Sequence, residues 1–194
     1  MNIKDLLSNI ITTDHSFEVA GLSLNSKTLK KGDIFIALQG EKNHGSDYID
    51  NAIENGCIGV LIEGKEEDYA VPTIDIDNLR VKLSTLADNF YTQAKKVDLI
   101  AITGTNGKTS VSHFISQLLS SLKIKNGVIG TLGISNVDKE SINTTPDIFT
   151  IYSALQEYSE QGFKIVIIEA SSHALVQNRL EGLSFIQGIF TNLT

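Results

Sequence analysis

Short apolar runs alternate with amphipathic segments along the whole chain, and this alternation predicts an α/β protein. In the first half, residues 33–38 and 58–62 are apolar runs of strand length, and residues 48–55 between them have helical spacing. A third run at 73–76 is followed by apolar residues at helical spacing up to Phe90. We therefore predict a small α/β layer in the first half of the chain.

The second half opens with a continuous apolar run at 97–103, which predicts a buried strand. A glycine-rich break at 104–107 precedes a helix that is predicted to begin near Lys108. The predicted buried stripe of this helix consists of Val111, Phe114, Ile115, Leu118, Leu119 and Leu122.

Three later strand-like runs, at 127–131, 164–169 and 188–192, alternate with a helical stretch at 148–158. A parallel sheet with crossover helices requires such an order. The predicted fold class is therefore α/β, with a small N-terminal domain at 1–95 followed by a P-loop-type, mostly parallel sheet domain at 96–194.

Composition and charge narrow the class of protein. The 41% hydrophobic and 20% charged residues are ordinary for a folded globular chain, and the formal charge of -7 disfavours nucleic acid as a partner. Met1 is not followed by a long apolar run, so we expect a cytoplasmic protein without membrane insertion. The single cysteine, Cys57, cannot form an internal disulfide and is predicted to be a small buried filler.

The segment TGTNGKTS at 103–110 lies between a predicted buried strand and a predicted helix. Gly104 and Gly107 permit positive φ, so that amide groups can face phosphate oxygens at the positive end of the helix. Lys108 would contact the β and γ phosphates of a nucleotide, and the Thr109 hydroxyl would bind Mg²⁺. Ile102 stands where the strict P-loop motif has glycine, so the loop is a variant. The alternative is a glycine turn with a solvated lysine.

The predicted ATP-binding residues are Gly104, Thr105, Asn106, Gly107, Lys108, Thr109 and Ser110, and Lys108 is also the predicted catalytic residue. Glu169 ends the apolar run 164–169, at the sheet edge where ligands bind in α/β proteins, and is predicted to be the second Mg²⁺ ligand. The alternative is an exposed glutamate at a strand end. Ser171, Ser172 and His173 follow, and we interpret them as a polar substrate-binding strip rather than as a hydrolase pair.

Several separated motifs resemble the Mur ligases in sequence and in order. They are LNSK at 24–27, GDIF at 32–35, TGTNGKTS at 103–110, GTLG at 130–133, NTTP at 143–146, EASSH at 169–173, QNR at 177–179 and FTNLT at 190–194. NTTP followed by EASSH and QNR is most similar to the MurE type of that family, the UDP-N-acetylmuramoyl-tripeptide synthetases. The glycine loop alone is shared with the folylpolyglutamate ligases.

The resemblance implies an ATP-dependent and Mg²⁺-dependent ligase of peptidoglycan synthesis, and hence a role in cell shape and division. Such an enzyme joins a diamino acid, meso-diaminopimelate or L-lysine, to UDP-N-acetylmuramoyl-L-alanyl-D-glutamate through an acyl phosphate. The residues that the resemblance places at the UDP substrate are Leu24, Ser26, Glu41, Lys42, Asn43, Asn143, Thr144, Thr145, Ser171, Gln177 and Arg179.

Arg179 suits an acidic ligand because its guanidinium can hold a carboxylate or phosphate through two hydrogen bonds, although it could instead be a helix-surface arginine. Residues 41–43 are Glu-Lys-Asn rather than the His-Gln-Ala of some family members, and Asn25 and Lys27 stand where the family often has Asp and Arg. The uridine contacts are therefore the part of the resemblance that this sequence matches least.

The family continues beyond the TNLT motif into an Asp-His metal-binding pair, a carbamylated lysine and a third domain. We therefore expect this chain to be the N-terminal and partial central region of a monomeric ligase, incomplete for catalysis by itself. The alternatives are a folylpolyglutamate synthetase, a nucleotide-sugar binding module without chemistry, and a P-loop kinase or GTPase.

Overall fold

The computed structural model describes residues 1–40, 43–64, 68–137 and 143–193. The chain divides into two compact units, Met1–Phe90 and Tyr91–Thr194. This division lies a few residues before the predicted boundary at residue 95. None of the helices in the described ranges has the length and apolar character needed to cross a bilayer.

Unit 1 contains a four-stranded parallel sheet with the order β1-β2-β3-β4. Its strands are β1 (Gly21–Ser23), β2 (Asp33–Ala37), β3 (Gly59–Ile62) and β4 (Thr73–Asp75), and its helices are α1 (Ile3–Leu6), α2 (Ile49–Glu54) and α3 (Leu83–Phe90). The predicted strand, helix and strand of the first half are confirmed as β2, α2 and β3. Strand β1 is too short to produce a clear periodic pattern, which is why the sequence did not predict it.

The core of unit 1 forms where helix α2 covers strands β2 and β3. Phe35, Ala52 and Val60 meet there in one buried apolar cluster. Cys57 belongs to the same cluster and is buried, which confirms that it is a filler. Desolvation by burial raises the pKa of the Cys57 thiol, so the side chain remains in its less reactive thiol form.

Unit 2 contains a five-stranded sheet with the order β7-β6-β8-β5-β9. Its strands are β5 (Asp98–Thr103), β6 (Asn126–Gly130), β7 (Gly133–Ile134), β8 (Ile165–Glu169) and β9 (Phe185–Phe190), and its helices are α4 (Lys108–Ser121), α5 (Ile148–Glu160) and α6 (Ser172–Val176). All neighbours pair in parallel except β6 and β7. The predicted α/β fold class is confirmed, whereas β9 begins and ends earlier than the predicted run at 188–192.

The two central strands bring the predicted phosphate loop and Glu169 together. Strands β5 and β8 are parallel neighbours, and Ile102 on β5 is opposite Glu169 on β8. The carboxyl ends of both strands therefore lie at the same edge of the sheet, which is where open α/β sheets bind ligands.

The prediction that helix α4 buries its whole apolar stripe is wrong. Phe114, Leu118 and Leu122 are 63%, 64% and 69% exposed, whereas the polar residue Ser112 is fully buried. Ser116 also faces inward, because its hydroxyl donates to Asn126 Oδ1 at 2.7 Å. The helix is thus turned toward polar partners that lie far away in the sequence, and an apolar periodicity cannot reveal such partners.

The other apolar residues of the predicted stripe do face the sheet. Val111, Ile115 and Leu119 pack against a buried cluster formed by β5, β6 and β8. This contact fixes the position of α4 over the sheet, so that its first residue, Lys108, lies directly after the glycine loop.

Candidate functional site

The glycine loop between β5 and α4 has the backbone conformation that its sequence predicts. Gly104 and Gly107 have φ values of +133° and +82°, which side-chain-bearing residues rarely adopt. Gly107 is the N-cap of α4, so the first turn of this 14-residue helix opens toward the loop. The first amide N–H groups of a helix have no acceptor within it, so those at the start of α4 suit an anion.

The loop is braced by the segment that follows β9. The Thr105 amide donates to the Asn192 carbonyl at 3.0 Å, and the Asn106 amide donates to Asn192 Oδ1 at 3.1 Å. Thr191 Oγ1 donates to the Asn106 carbonyl at 2.6 Å. The amides of Thr105 and Asn106 are therefore engaged within the protein. The amides at the start of α4 have no such partner among the described hydrogen bonds and are in place to meet a phosphate.

Lys108 folds back over its own loop. Its Nζ donates to the Gly104 carbonyl at 2.6 Å and lies 3.4 Å from the Thr105 carbonyl. Its side chain is half-buried rather than free in solvent, so the alternative of a solvated lysine does not describe it. The ammonium group thus lies at the loop, where a bound phosphate chain would attract it.

The carboxylate of Glu169 lies beneath the phosphate loop and is fully buried. Thr109 Oγ1 donates to Oε2 at 2.9 Å, and Thr131 Oγ1 donates to the same oxygen at 2.9 Å. Ser112 Oγ lies 3.3 Å from Oε1. The alternative interpretation of Glu169 as an exposed strand-end residue is therefore wrong.

Gly130 gives this carboxylate its space. A Cβ atom at Gly130 would lie 2.2 Å from Glu169 Oε1 and 2.5 Å from Glu169 Cδ. Only glycine leaves room on β6 for the glutamate of the neighbouring strand β8.

The oxygen atoms of Thr109 and Glu169 fit a magnesium ion. A hydroxyl and a carboxylate are hard oxygen donors, and Mg²⁺ takes one or two protein carboxylates together with phosphate oxygens and waters. No group of three or more His, Cys, Asp or Glu side chains that could hold a metal occurs among the described residues. A donor set of one hydroxyl and one carboxylate suits an ion that arrives with a nucleotide, because the phosphate oxygens supply further ligands.

A second polar cluster joins the loop before α5 to the segment around α6. Thr145 Oγ1 donates to the main-chain carbonyl of Glu169 at 2.6 Å and accepts from the Ser171 amide at 3.1 Å. Ser171 Oγ accepts from the Ala174 amide at 3.2 Å and thereby caps α6. Thr145 is 1% exposed, and its hydroxyl is engaged by the main chain at Glu169 and Ser171.

Arg179 lies beyond α6 and is not a helix-surface arginine. Its Nε and Nη2 donate to Gln177 Oε1 at 3.0 and 2.6 Å, and its Nη1 donates to the Thr145 carbonyl. Thr144 Oγ1 lies 3.2 Å from Thr131 Oγ1, and Asn143 is exposed next to it. The structure thus places the predicted residues of 143–145, Ser171, Gln177 and Arg179 in one cluster beside Glu169.

Unit 1 has a separate cleft of about 550 Å³ at the carboxyl ends of β1 and β2. Among its described lining residues are three of the predicted uridine contacts, Leu24, Ser26 and Asn43. The two other predicted contacts, Glu41 and Lys42, lie outside the described residues.

The described lining of this cleft carries two cations, Lys27 and Arg80, and no carboxylate. Arg80 Nη2 donates to the Gln39 carbonyl, which fixes the guanidinium at the edge of the cleft. Asn43 Nδ2 donates to the hydroxyl of Tyr48 at 2.6 Å. In a chain with a net charge of -7, this local cationic lining suits an anionic ligand.

Comparison with known proteins places both units in one family. The family sequence model described as the Mur ligase family catalytic domain matches residues 18–91. The family sequence model described as the Mur ligase middle domain matches residues 102–194. The chain belongs to the Mur ligase family.

Individual Mur ligases resemble the chain over its full length. The UDP-N-acetylmuramoyl-L-alanyl-D-glutamate--2,6-diaminopimelate ligase of Wigglesworthia glossinidia brevipalpis is 40% identical over 100% of this chain and 42% of the relative. A solved structure of a ligase with the same name has a TM-score of 0.80 and 30% identity, covering 100% of this chain and 40% of that one. The chain therefore spans less than half the length of these Mur ligases.

A more distant Mur ligase supports the fold only. The structure of MurF ligase from Thermotoga maritima in complex with ADP has a TM-score of 0.54 and 24% identity, covering 78% of this chain and 32% of that one.

Sequence reasoning missed four residues that the structure brings to the two candidate sites. They are Ser112, Thr131, Asn192 and Arg80. Thr131 and Asn192 lie in motifs that were recognised as similar to the family, but no role was inferred for either. Ser112 lies one helical turn after Lys108, on the face toward Glu169, and that spacing could have indicated it. No local signal identifies Arg80, because only the tertiary fold brings it to the cleft.

Proposed function

We propose that this chain provides the UDP-substrate site and the phosphate-loop site of an ATP-dependent ligase of the MurE type. The reaction joins 2,6-diaminopimelate, the amino acid named in the relatives, to UDP-N-acetylmuramoyl-L-alanyl-D-glutamate. The observation that carries this proposal is the 2.9 Å contact between Thr109 Oγ1 and the buried Glu169 carboxylate, directly beneath a loop built to hold phosphates. That pair lies beside the 143–145 loop, where the acceptor substrate would bind.

The proposed reaction has two steps. The D-glutamate γ-carboxylate attacks the γ-phosphorus of ATP, so that an acyl phosphate forms and ADP leaves. The amine of the diamino acid then attacks the acyl carbon, loses a proton, and displaces inorganic phosphate to leave an amide bond. In the first step negative charge passes from the carboxylate to the leaving ADP, and in the second it develops on the acyl oxygen and leaves with inorganic phosphate. Electrostatic stabilisation and positioning therefore supply most of the catalysis.

Residues of unit 2 provide the cationic environment for the phosphoryl transfer. Lys108 would exchange its bonds to the Gly104 and Thr105 carbonyls for phosphate oxygens, and the start of α4 would add amide donors. Thr109 and Glu169 would hold Mg²⁺, which neutralises charge on the phosphate oxygens when it is bound. Glu169 is pre-oriented for this role by the hydroxyl groups around it.

The cluster around Arg179 would hold the muramoyl peptide. The Arg179 guanidinium is fixed by Gln177 and by the Thr145 carbonyl, so it offers a positive charge in a defined place for a carboxylate of the substrate. Asn143 and Thr144 are not buried and would contact the substrate directly. Thr145 and Ser171 would hold the geometry of this surface from beneath.

The cleft of unit 1 would bind the uridine diphosphate end of the substrate. Its cationic lining suits the diphosphate, and Tyr48 is 41% exposed at the cleft and can cover an aromatic base. Leu24, Ser26 and Asn43 would contact the uridine. We also expect a monomeric, cytoplasmic protein that binds no nucleic acid.

Calorimetric titration of the chain tests this proposal. UDP-N-acetylmuramoyl-L-alanyl-D-glutamate and Mg²⁺-ATP are titrated separately, and both are expected to bind saturably. Arg179→Ala should remove binding of the UDP substrate while leaving Mg²⁺-ATP binding intact. Binding of ATP alone would contradict the proposal in favour of another P-loop protein, and binding of the UDP substrate alone would favour a nucleotide-sugar binding module. Competition by a folate substrate would favour a folylpolyglutamate synthetase.

A further inference from the structure

The hydroxyl of Thr131 connects the two polar clusters of unit 2. Thr131 follows β6 directly, and its Oγ1 lies 2.9 Å from Glu169 Oε2 and 3.2 Å from Thr144 Oγ1. Thr109 contacts the same carboxylate oxygen from the phosphate loop. One side chain therefore links the carboxylate beneath the phosphate loop to the loop that precedes α5.

The chemistry of the groups fixes the direction of these hydrogen bonds. A carboxylate oxygen accepts, and a hydroxyl has a single proton to donate. Thr131 therefore donates to Glu169, and its own oxygen accepts the proton of Thr144. The series of hydrogen bonds therefore runs from Thr144 through Thr131 to Glu169. A movement of Thr144 would change the position of the hydroxyl that orients the carboxylate.

Two threonine hydroxyls orient the same carboxylate oxygen, and only one of them is a proposed metal ligand. As a ligand, Thr109 would bind the ion through an oxygen lone pair and still donate its proton to Glu169 Oε2. Thr131 donates to Oε2 without being a proposed ligand, so its hydroxyl can be removed without removing a donor to the metal. On the opposite side the carboxylate packs against the main chain at Gly130, where even a Cβ atom would overlap it.

We propose that Thr131 is a positioning residue that orients Glu169 for the Mg²⁺-nucleotide complex and links this orientation to Thr144. The identity of the ligand rests on the proposed function. Groups that orient metal ligands from behind typically change metal affinity by about 10–100-fold when they are lost. Because Thr144 belongs to the proposed acceptor-substrate surface, the same hydroxyl would couple the two substrate sites.

The test measures ATP affinity of the full 194-residue chain by calorimetry, once with Mg²⁺ and once with EDTA. Thr131→Val removes the hydroxyl at nearly constant shape, and Thr131→Ser keeps it. Thr150→Val is the matched control, because Thr150 Oγ1 also donates to a carboxylate, that of Asp147 at 2.6 Å, at the start of α5. Thermal unfolding of each variant verifies that it is folded.

Thr131→Val should lower the affinity for Mg²⁺-ATP about 10-fold and leave the affinity in EDTA unchanged. Thr131→Ser should stay within about 3-fold of the unsubstituted chain in both conditions, as should the control. Binding of Mn²⁺ to the ATP-loaded chain, followed by electron paramagnetic resonance, should weaken in parallel. A purely structural role would instead lower both affinities or the melting temperature.

Thr144→Val tests the link between the two sites. It should weaken Mg²⁺-ATP binding in the same metal-dependent way by about 3-fold, although Thr144 lies outside the phosphate loop. Unchanged Mg²⁺-ATP affinity in Thr131→Val would overturn the positioning role, and unchanged affinity in Thr144→Val would overturn the link. Failure of the unsubstituted chain to bind Mg²⁺-ATP would refute the proposed function and this inference together.

Discussion

Substitution of Gly130 by alanine adds one methyl group at the point where β6 passes the Glu169 carboxylate. The new Cβ would lie 2.2 Å from Oε1, 2.5 Å from Cδ and 2.7 Å from Cγ. Non-bonded heavy atoms attract at about 3.5–4.0 Å, so the carboxylate or strand β6 must move by about 1 Å. Glu169 is fully buried in the centre of the sheet, so it has no free space in which to rotate.

The same displacement lengthens the hydrogen bonds that orient the carboxylate. The bonds from Thr109 and Thr131 measure 2.9 Å each, and a shift of about 1 Å takes them beyond hydrogen-bonding distance. We expect Gly130→Ala to lower the free energy of unfolding by about 1–3 kcal/mol, as overpacked cores do. We expect the affinity for Mg²⁺-ATP to fall by about 10–100-fold, because the proposed metal ligand is displaced.

Urea unfolding and calorimetric titration measure these two effects separately. Gly188→Ala is the matched control, because Gly188 lies in β9 of the same sheet and an added Cβ there would meet nothing within 4 Å. Gly188→Ala should change the free energy of unfolding and the affinity for Mg²⁺-ATP little. Wild-type affinity for Mg²⁺-ATP in Gly130→Ala would refute the argument that the proposed metal site depends on the space beside Glu169.

Three further predictions concern other parts of the molecule. Burial raises the pKa of Tyr158 to about 12 from 10.0, and its hydroxyl donates to the Ser135 carbonyl. Because the folded-state pKa lies above the unfolded value, the contribution of the neutral tyrosine to stability is complete below pH 10 and is lost as the pH rises through 12. This loss is about 3 kcal/mol, and urea unfolding of Tyr158→Phe should not show it. Arg179→Lys should weaken UDP-substrate binding about 10-fold in calorimetry, because an ammonium cannot reproduce the planar fork that also contacts the Thr145 carbonyl. Arg80→Ala should lower the affinity for UDP about 10-fold and leave Mg²⁺-ATP binding unchanged, because it removes a cation from the cleft of unit 1.

Equal loss of stability above pH 10 in Tyr158→Phe and the unsubstituted chain would contradict the argument from the tyrosine. Full substrate affinity in Arg179→Lys would mean that charge alone is needed there. Lys82→Ala is the control for Arg80, since both residues lie in the short 3-10 helix Leu79–Lys82 but Lys82 does not line the cleft. Equal losses of UDP affinity in Arg80→Ala and Lys82→Ala would indicate a general effect of net charge rather than a UDP-binding site in the cleft.

The sequence by itself determined the local part of this site. Glycines at 104 and 107, between an apolar strand and an amphipathic helix, were enough to predict a phosphate loop, because positive φ and the start of a helix depend on neighbouring residues only. The end of an apolar run at Glu169 likewise predicted a carboxylate at the binding edge of a parallel sheet. The two were expected to meet because parallel strands end at the same edge.

The tertiary structure decided which face of α4 is buried and what surrounds Glu169. Periodicity placed Phe114 and Leu118 inside, but the helix turns Ser112 inward because its hydroxyl contacts a carboxylate 57 residues later in the chain. Thr131 lies 38 residues from the same carboxylate. Hydrogen bonds between residues so far apart in sequence leave no periodic trace, because they depend on the order of strands in the sheet and on the depth at which each side chain lies.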